Sequence, residues 1–136
     1  MRSISLIALV LMVTILLSSC ARKMHFANSP IVPAATGYAQ VKKDKNGNYI
    51  ISVSVRNLAE AKRLTPPKNV YVVWMESAGN SSKNLGQMKS SSGILSSKLK
   101  GSMQGTATSK PTAIFITAED DGDVQYPSMQ VVLRTQ

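Results

Sequence analysis

One cysteine, Cys20, and one histidine, His25, stand five residues apart near the start of a chain of 136 residues. A nucleophilic thiol needs a base held beside it, and two side chains on an unstructured approach segment are not so held. An intrachain disulfide needs a second cysteine, which is absent. Zinc or copper bound through imidazoles needs several histidines, so no metal ligand and no cofactor-binding residue is expected. Cys20 is left as an attachment point, and no residue is expected to be catalytic.

The acids cluster elsewhere. The stretch AEDDGD holds Glu119, Asp120, Asp121 and Asp123, four of the seven acids in the chain. Oxygen-rich loops suit calcium, but the spacing is not that of an EF-hand, and an acidic turn between two strands is the simpler expectation. A glycosidase pair would have to join this loop to Glu60 or Glu76; solvated surface acids are the expectation favoured over it. The serines stand in no GxSxG context, and a serine hydrolase would lack its histidine. Trp74 could stack a sugar ring, but within a central strand it is expected in the core of the fold.

What positions these residues begins with the apolar run Ile4–Leu17, ISLIALVLMVTILL, preceded by Arg2. A spanning helix needs ~20 apolar residues, so this run is too short for a stable anchor. A positive start, a short apolar core and small residues predict a secretory signal. Leu17, Ser18, Ser19 and Cys20 resemble the lipobox of bacterial lipoproteins. That resemblance implies cleavage after residue 19 and acylation of Cys20, with partition into the membrane at ~0.8 kcal/mol per buried methylene.

Residues 1–19 are thus expected as signal peptide, 20–36 as a lipidated tether and 37–136 as the folded domain. The text ARKMHFANSPIVPAA (21–35) lacks periodicity and carries two prolines. It predicts a tether reaching about 45 Å if extended, whose deletion spares the fold. Ala21 after the cysteine is not the aspartate of inner-membrane retention, and no acidic surface-export run follows. By resemblance the location is the outer membrane facing the periplasm.

Sixteen Lys and Arg against seven acids give a net charge of +9. An exported chain seldom meets nucleic acid, and two phenylalanines, four tyrosines and one tryptophan stock few stacking platforms. The basic balance instead predicts attraction to an anionic surface, with Arg22 and Lys23 at the headgroups. The expected partners are therefore the membrane, through the lipid, and an envelope protein, with no nucleic acid.

From Gly37 onward the pattern is one of strands. Residues 38–43 and 48–56 flank DKNG and predict a hairpin, with Ile51, Val53 and Val55 alternating against Ser52, Ser54 and Arg56. Residues 58–63 allow one helical turn before Pro66 and Pro67. VYVVWME (70–76) is apolar on both faces, which places it at a sheet centre. Residues 77–84, 90–93 and GSMQGTATSKP (101–111) read as loops; 85–89, 94–100, 112–119 and 129–135 read as strands. The fold class is all-β, an immunoglobulin-like antiparallel β-sandwich of about seven strands.

The order of YVVW (71–74), LGQM (85–88) and PTAIFITAEDDGDVQYPSMQVVLRT (111–135) resembles the extracytoplasmic domain of anti-sigma-K-type factors, over residues 37–136. The resemblance implies a β-sandwich. It does not carry the sigma-binding activity, because a lipoprotein signal stands where those factors place a cytoplasmic segment and a membrane span. Three functions follow as expectations: a non-catalytic, lipid-anchored interaction or structural module, favoured here; an accessory sensing module related to those outer domains; and a small enzyme acting on envelope glycans.

Overall fold

The computed structural model describes residues 20–79, 81–92 and 99–136. The expected signal peptide, residues 1–19, lies outside them, as does most of the strand expected at 94–100. Among the described residues no helix is long and apolar enough to cross a membrane.

The strands are β1 (Arg22–His25), β2 (Thr36–Lys43), β3 (Tyr49–Leu58), β4 (Val70–Ser77), β5 (Ser82–Gln87), β6 (Lys89–Ser92), β7 (Leu99–Ala107), β8 (Pro111–Glu119) and β9 (Val131–Arg134). A five-stranded sheet in the order β1-β2-β3-β7-β6 faces a four-stranded sheet in the order β5-β4-β8-β9. All pairings are antiparallel. In immunoglobulin-type domains, strands A, B, E and D make one sheet and C, F and G the other. Here β2-β3-β7-β6 and β4-β8-β9 take those places, with β5 beside β4 and β1 added outside β2. The chain is an immunoglobulin-like β-sandwich.

The first hairpin forms where the turn chemistry requires. Asp44 Oδ1 accepts from the Asn46 and Asn48 amides at 2.8 Å each, and Gly47, at φ 83°, takes the left-handed position that a side chain disfavours. Desolvation raises the Asp44 carboxyl, but the Asn48 and Asn46 amides, the Asn48 side chain and the Gly47 amide outweigh it and hold the group below its ordinary value. Beyond the turn, Ile51, Val53 and Val55 of β3 are buried while Arg56 is exposed, as alternation predicts. The helical turn expected at 58–63 is a short 3-10 segment, Ala61–Arg63.

β4 lies inside its sheet, between β5 and β8, and divides its side chains as its sequence does. Tyr71, Val73 and Met75 face the inter-sheet core with Ile114 and Ile116 of β8. Val72 and Trp74 face outward and are buried with Phe115 in a second, smaller cluster. Trp74 is therefore a core residue, but of the sheet's outer side and not of the space between the sheets.

Three expectations are corrected. First, GSMQGTATSKP does not form a loop; most of it belongs to β7, which pairs with β3 over its length. Its two glycines hide the strand signal, and Gly101 has a steric reason. A Cβ there would lie 2.1 Å from Met88 Sδ and 2.9 Å from Leu58 Cδ1, so a strand passing this close to its neighbours has no space for a side chain. Second, parts of the expected loops 77–84 and 90–93 are strand: Ser82–Asn84 opens β5, and β6 runs Lys89–Ser92. Nine strands thus replace the expected seven among the described residues.

Third, residues 20–36 are not a tether. Arg22–His25 pairs with β2, from Arg22 opposite Val41 to His25 opposite Tyr38. Met24, Val32 and Ala35 are buried in the main core. Ser29 Oγ is also buried and accepts from the Val32 amide at 2.8 Å, which turns the chain toward β2. Short polar runs and prolines resemble a linker in sequence, yet apolar side chains at 24, 32 and 35 find a core to enter.

The same segment stitches the sheets. After β1 the chain leaves β2: the Ala27 amide donates to Arg134 O at 2.8 Å and the Gln136 amide to His25 O at 3.2 Å, while Phe26 bridges Thr135. On the other side of the sandwich, the Met88 amide donates to Tyr71 O at 2.8 Å, and one residue later β6 pairs with β7 in the opposite sheet. Both sides are thus closed by a segment that changes sheets.

Replacing Met24 by Ala should lower unfolding free energy by about 2–5 kcal/mol in urea titration, the usual loss for a buried Met. A free tether would lose nothing. A second expectation concerns alkaline pH. Tyr71 donates its hydroxyl to Ala59 O at 2.8 Å, and burial pushes its phenol from 10.0 up to about 12. The unfolded phenol ionises first, so stability falls between those two pH values. Tyr71→Phe should lose that part of the alkaline slope; an unchanged slope would refute the assignment.

Candidate functional site

The acidic stretch and the residues after it, 120–130, join β8 to β9 and fold back over the outer face of the four-stranded sheet. Their apolar hold is Val124, packed on the Val72, Trp74 and Phe115 cluster. Trp74 is 0% exposed, and its ring lies nearly parallel to that of Phe115, at 11° with centroids 6.2 Å apart. A buried indole N–H needs an acceptor. Trp74 Nε1 donates to Thr117 Oγ1 at 2.8 Å, Thr117 passes its own hydrogen to Glu119 Oε1, and the Ser128 amide donates to the same oxygen at 2.8 Å. One buried carboxylate thereby ties the tryptophan to the far limb of the loop.

Further bonds hold the loop at each turn. Asn84 of β5 donates through Nδ2 to Gly122 O at 3.0 Å and Val124 O at 2.8 Å, while its Oδ1 accepts from the Gly86 amide. Lys68 pairs with Asp120 at 2.8 Å, and Asn69 Nδ2 donates to Asp120 O. Gln130 Nε2 reaches Pro66 O at 3.1 Å, which joins this loop to the β3–β4 connection. Ser128 Oγ donates to Ala118 O at 3.0 Å.

From this braced loop two large apolar side chains point into solvent. Tyr126 is 83% exposed and Met129 100% exposed, the exposed large hydrophobics among the described residues. Tyrosine and methionine are enriched in protein contacts, and a loop fixed before binding loses little conformational entropy on binding. Sequence inspection missed them: YPSM follows the acidic run without any pattern that tells an exposed Met from a buried one.

The residues considered for chemistry are dispersed. Among the described residues no group of three or more His, Cys, Asp or Glu converges. Glu119 is buried by its hydroxyl and amide donors, Asp120 by contrast reaches out to Lys68, and Asp121 accepts from the Asp123 amide at 3.2 Å. Glu60 lies 3.5 Å from Arg63. Both oxygens of Glu76 accept from Arg134, whose guanidinium also sits 5.4 Å from the Phe115 ring centre.

Glu76 and the acidic loop stand at opposite ends of the sheet. Val70 pairs with Glu119 and Glu76 with Ala113. Six residues of strand separate them by roughly 20 Å, where glycosidase carboxylates need about 5–9.5 Å. Cys20 is exposed and precedes β1, while His25 closes that strand, so thiol and imidazole are not brought together.

Thr117→Val leaves the indole N–H and the Glu119 carboxylate short of a partner. It should cost about 1–3 kcal/mol and shift the emission of Trp74, the one tryptophan, while Thr117→Ser should restore both. Equal stability of the valine and serine variants would show that the relay does not hold the loop.

No protein-family model, curated protein or solved structure matches the chain.

Proposed function

We propose that the chain is a non-catalytic lipoprotein of the bacterial cell envelope, acylated at Cys20, whose sandwich presents the 120–130 loop to an envelope protein. The observation that carries the interaction reading is the exposure of Tyr126 and Met129 on a loop braced by Glu119, Asn84 and Lys68. The attachment reading is supported by the lipobox-like LSSC and by the exposure of Cys20 just ahead of the first strand. A location in the outer membrane facing the periplasm follows from the residues after that cysteine.

The two features lie at opposite poles. β1 runs antiparallel to β2, and Arg22 lies opposite Val41, so Cys20 leads out at the end where β2 turns into β3. Val70 pairs with Glu119 at the other end, where the 120–130 loop begins. A membrane anchor at one pole leaves the root of that loop at the other, with the apolar pair exposed on a segment that folds back over the sheet face. The anti-sigma-type resemblance gives a second reading, a sensing accessory that docks on a membrane regulator; the sandwich supports it only at the level of architecture.

Intact-mass spectrometry of the chain from its membrane fraction should find a diacylglyceryl-modified Cys20 as the first residue. In the same membranes, a photocrosslinker replacing Tyr126 should give a discrete protein adduct that Met129→Ala weakens, with stability unchanged within about 0.5 kcal/mol. An unmodified Cys20 would remove the anchor. A crosslinker at 126 that yields no adduct, or one indifferent to Met129, would remove the docking loop.

A further inference from the structure

We infer that the pole around Cys20 is a built lipid-contact surface, which presses against anionic headgroups and fixes the domain's orientation on the bilayer. The inference rests on the anchor reading for its place at the membrane and adds the surface that reading lacks.

Charge is distributed unevenly between the poles. At the Cys20 end, β2 closes with Lys42 and Lys43 and the β2–β3 turn carries Lys45. Beside it, β1 contributes Arg22 and Lys23, opposite Val41 and Gln40. The four-stranded sheet adds Lys83, opposite Met75 near the β4–β5 turn, and Lys110 in the β7–β8 turn, next to Pro111 opposite Ser77. Against these seven cations stand Glu76 and Asp44, with Asp123 of the folded-back loop near Lys83. Glu76 is neutralised by Arg134, and Asp44 is spent on the amides of its own turn. The opposite pole holds Glu60, Glu119 and Asp120, with Arg63 and Lys68 paired to the first and last of these, and Asp121 and Asp123 follow in the loop that folds back over the sheet face toward Lys83.

The bilayer is singled out as the occupant by the absence of a spacer. Only Ala21 separates Cys20 from the first residue of β1. An acyl chain on Cys20 enters the headgroup layer, and an intervening residue spans only about 3.3 Å when extended. The basic pole is therefore held within a Debye length, about 8 Å at physiological ionic strength, where juxtamembrane lysines and arginines are attracted to anionic lipid. The backbone fixes this placement: β1 is hydrogen-bonded to β2, so the anchor cannot swing away from the lysines of the turn without unpairing a strand.

The test uses the full processed chain, reconstituted by its own acyl group into vesicles of phosphatidylcholine with or without about a third phosphatidylglycerol. Lysine acetylation is read by peptide mass spectrometry, and intact mass reports acylation of Cys20 on the same sample. The expected result is that Lys42, Lys45 and Lys110 react about threefold slower or less on the anionic vesicles, while Lys62 and Lys100 are unchanged; 1 M salt, with a Debye length of about 3 Å, should abolish the difference. A charge reversal of exposed turn residues, Lys42→Glu with Lys45→Glu, should release Lys110 in the same assay. An acylated chain whose turn lysines react equally on both vesicles overturns the surface alone. An unmodified Cys20 overturns the anchor and the surface with it. Equal protection on neutral vesicles by added soluble polyphosphate would reassign the pole to free polyanions and overturn it as well.

Discussion

The structure depends on closing both sides of a two-sheet sandwich. An open edge offers unpaired amides and carbonyls to any passing strand, and proteins of this size must blunt it. Here two short segments do so by belonging to both sheets. Phe26 and Ala27 carry the chain from β2 to β9, and Met88 carries it from β4 to β7. Each transfer also delivers a methionine to the core, Met24 on one side and Met88 on the other. The unbranched thioether, with three rotatable bonds, adapts to the space such a corner leaves.

A closed sandwich lets its ends differ. The outer face of the four-stranded sheet would be an apolar patch if bare, since Val72, Trp74 and Phe115 lie on it. The 120–130 loop covers that patch, and the buried Glu119 is the fastener. Much of the acidic run is therefore structural. Glu119 satisfies an indole relay and an amide, and Asp120 pairs with Lys68 across to the next loop. The loop's remaining surface is where Tyr126 and Met129 emerge, so the same segment that seals one apolar surface displays another.

How far the sequence discloses this can be traced residue by residue. Alternation at 51–56 and the two-faced apolar run at 70–76 revealed β3 and β4, because buried and half-buried strands leave a period that a reader can count. The DKNG turn was legible for the same local reason. β7 was not, since Gly101 and Gly105 erase the side-chain period just where Met88 and Leu85 crowd the strand. β1 was not, because four residues are too few to show a period and their partners lie on a strand of different sequence neighbourhood. Of the candidate residues, the separation of Glu76 from the acidic loop at opposite ends of the sheet is a property of register, which composition does not encode.

The inclusion of β1 in the fold also sets a reach. If the proposed anchor holds, a spacer of about fifteen residues would let the domain range over tens of ångströms, whereas Ala21 alone makes it a post of fixed height. The longest strand, β3, runs 10 residues, about 33 Å at the rise of a strand. A chain anchored at Cys20 would therefore carry the root of the 120–130 loop no farther than roughly that distance from its own bilayer. On the proposed anchor, a docking protein would have to stand on, or come down to, the same membrane.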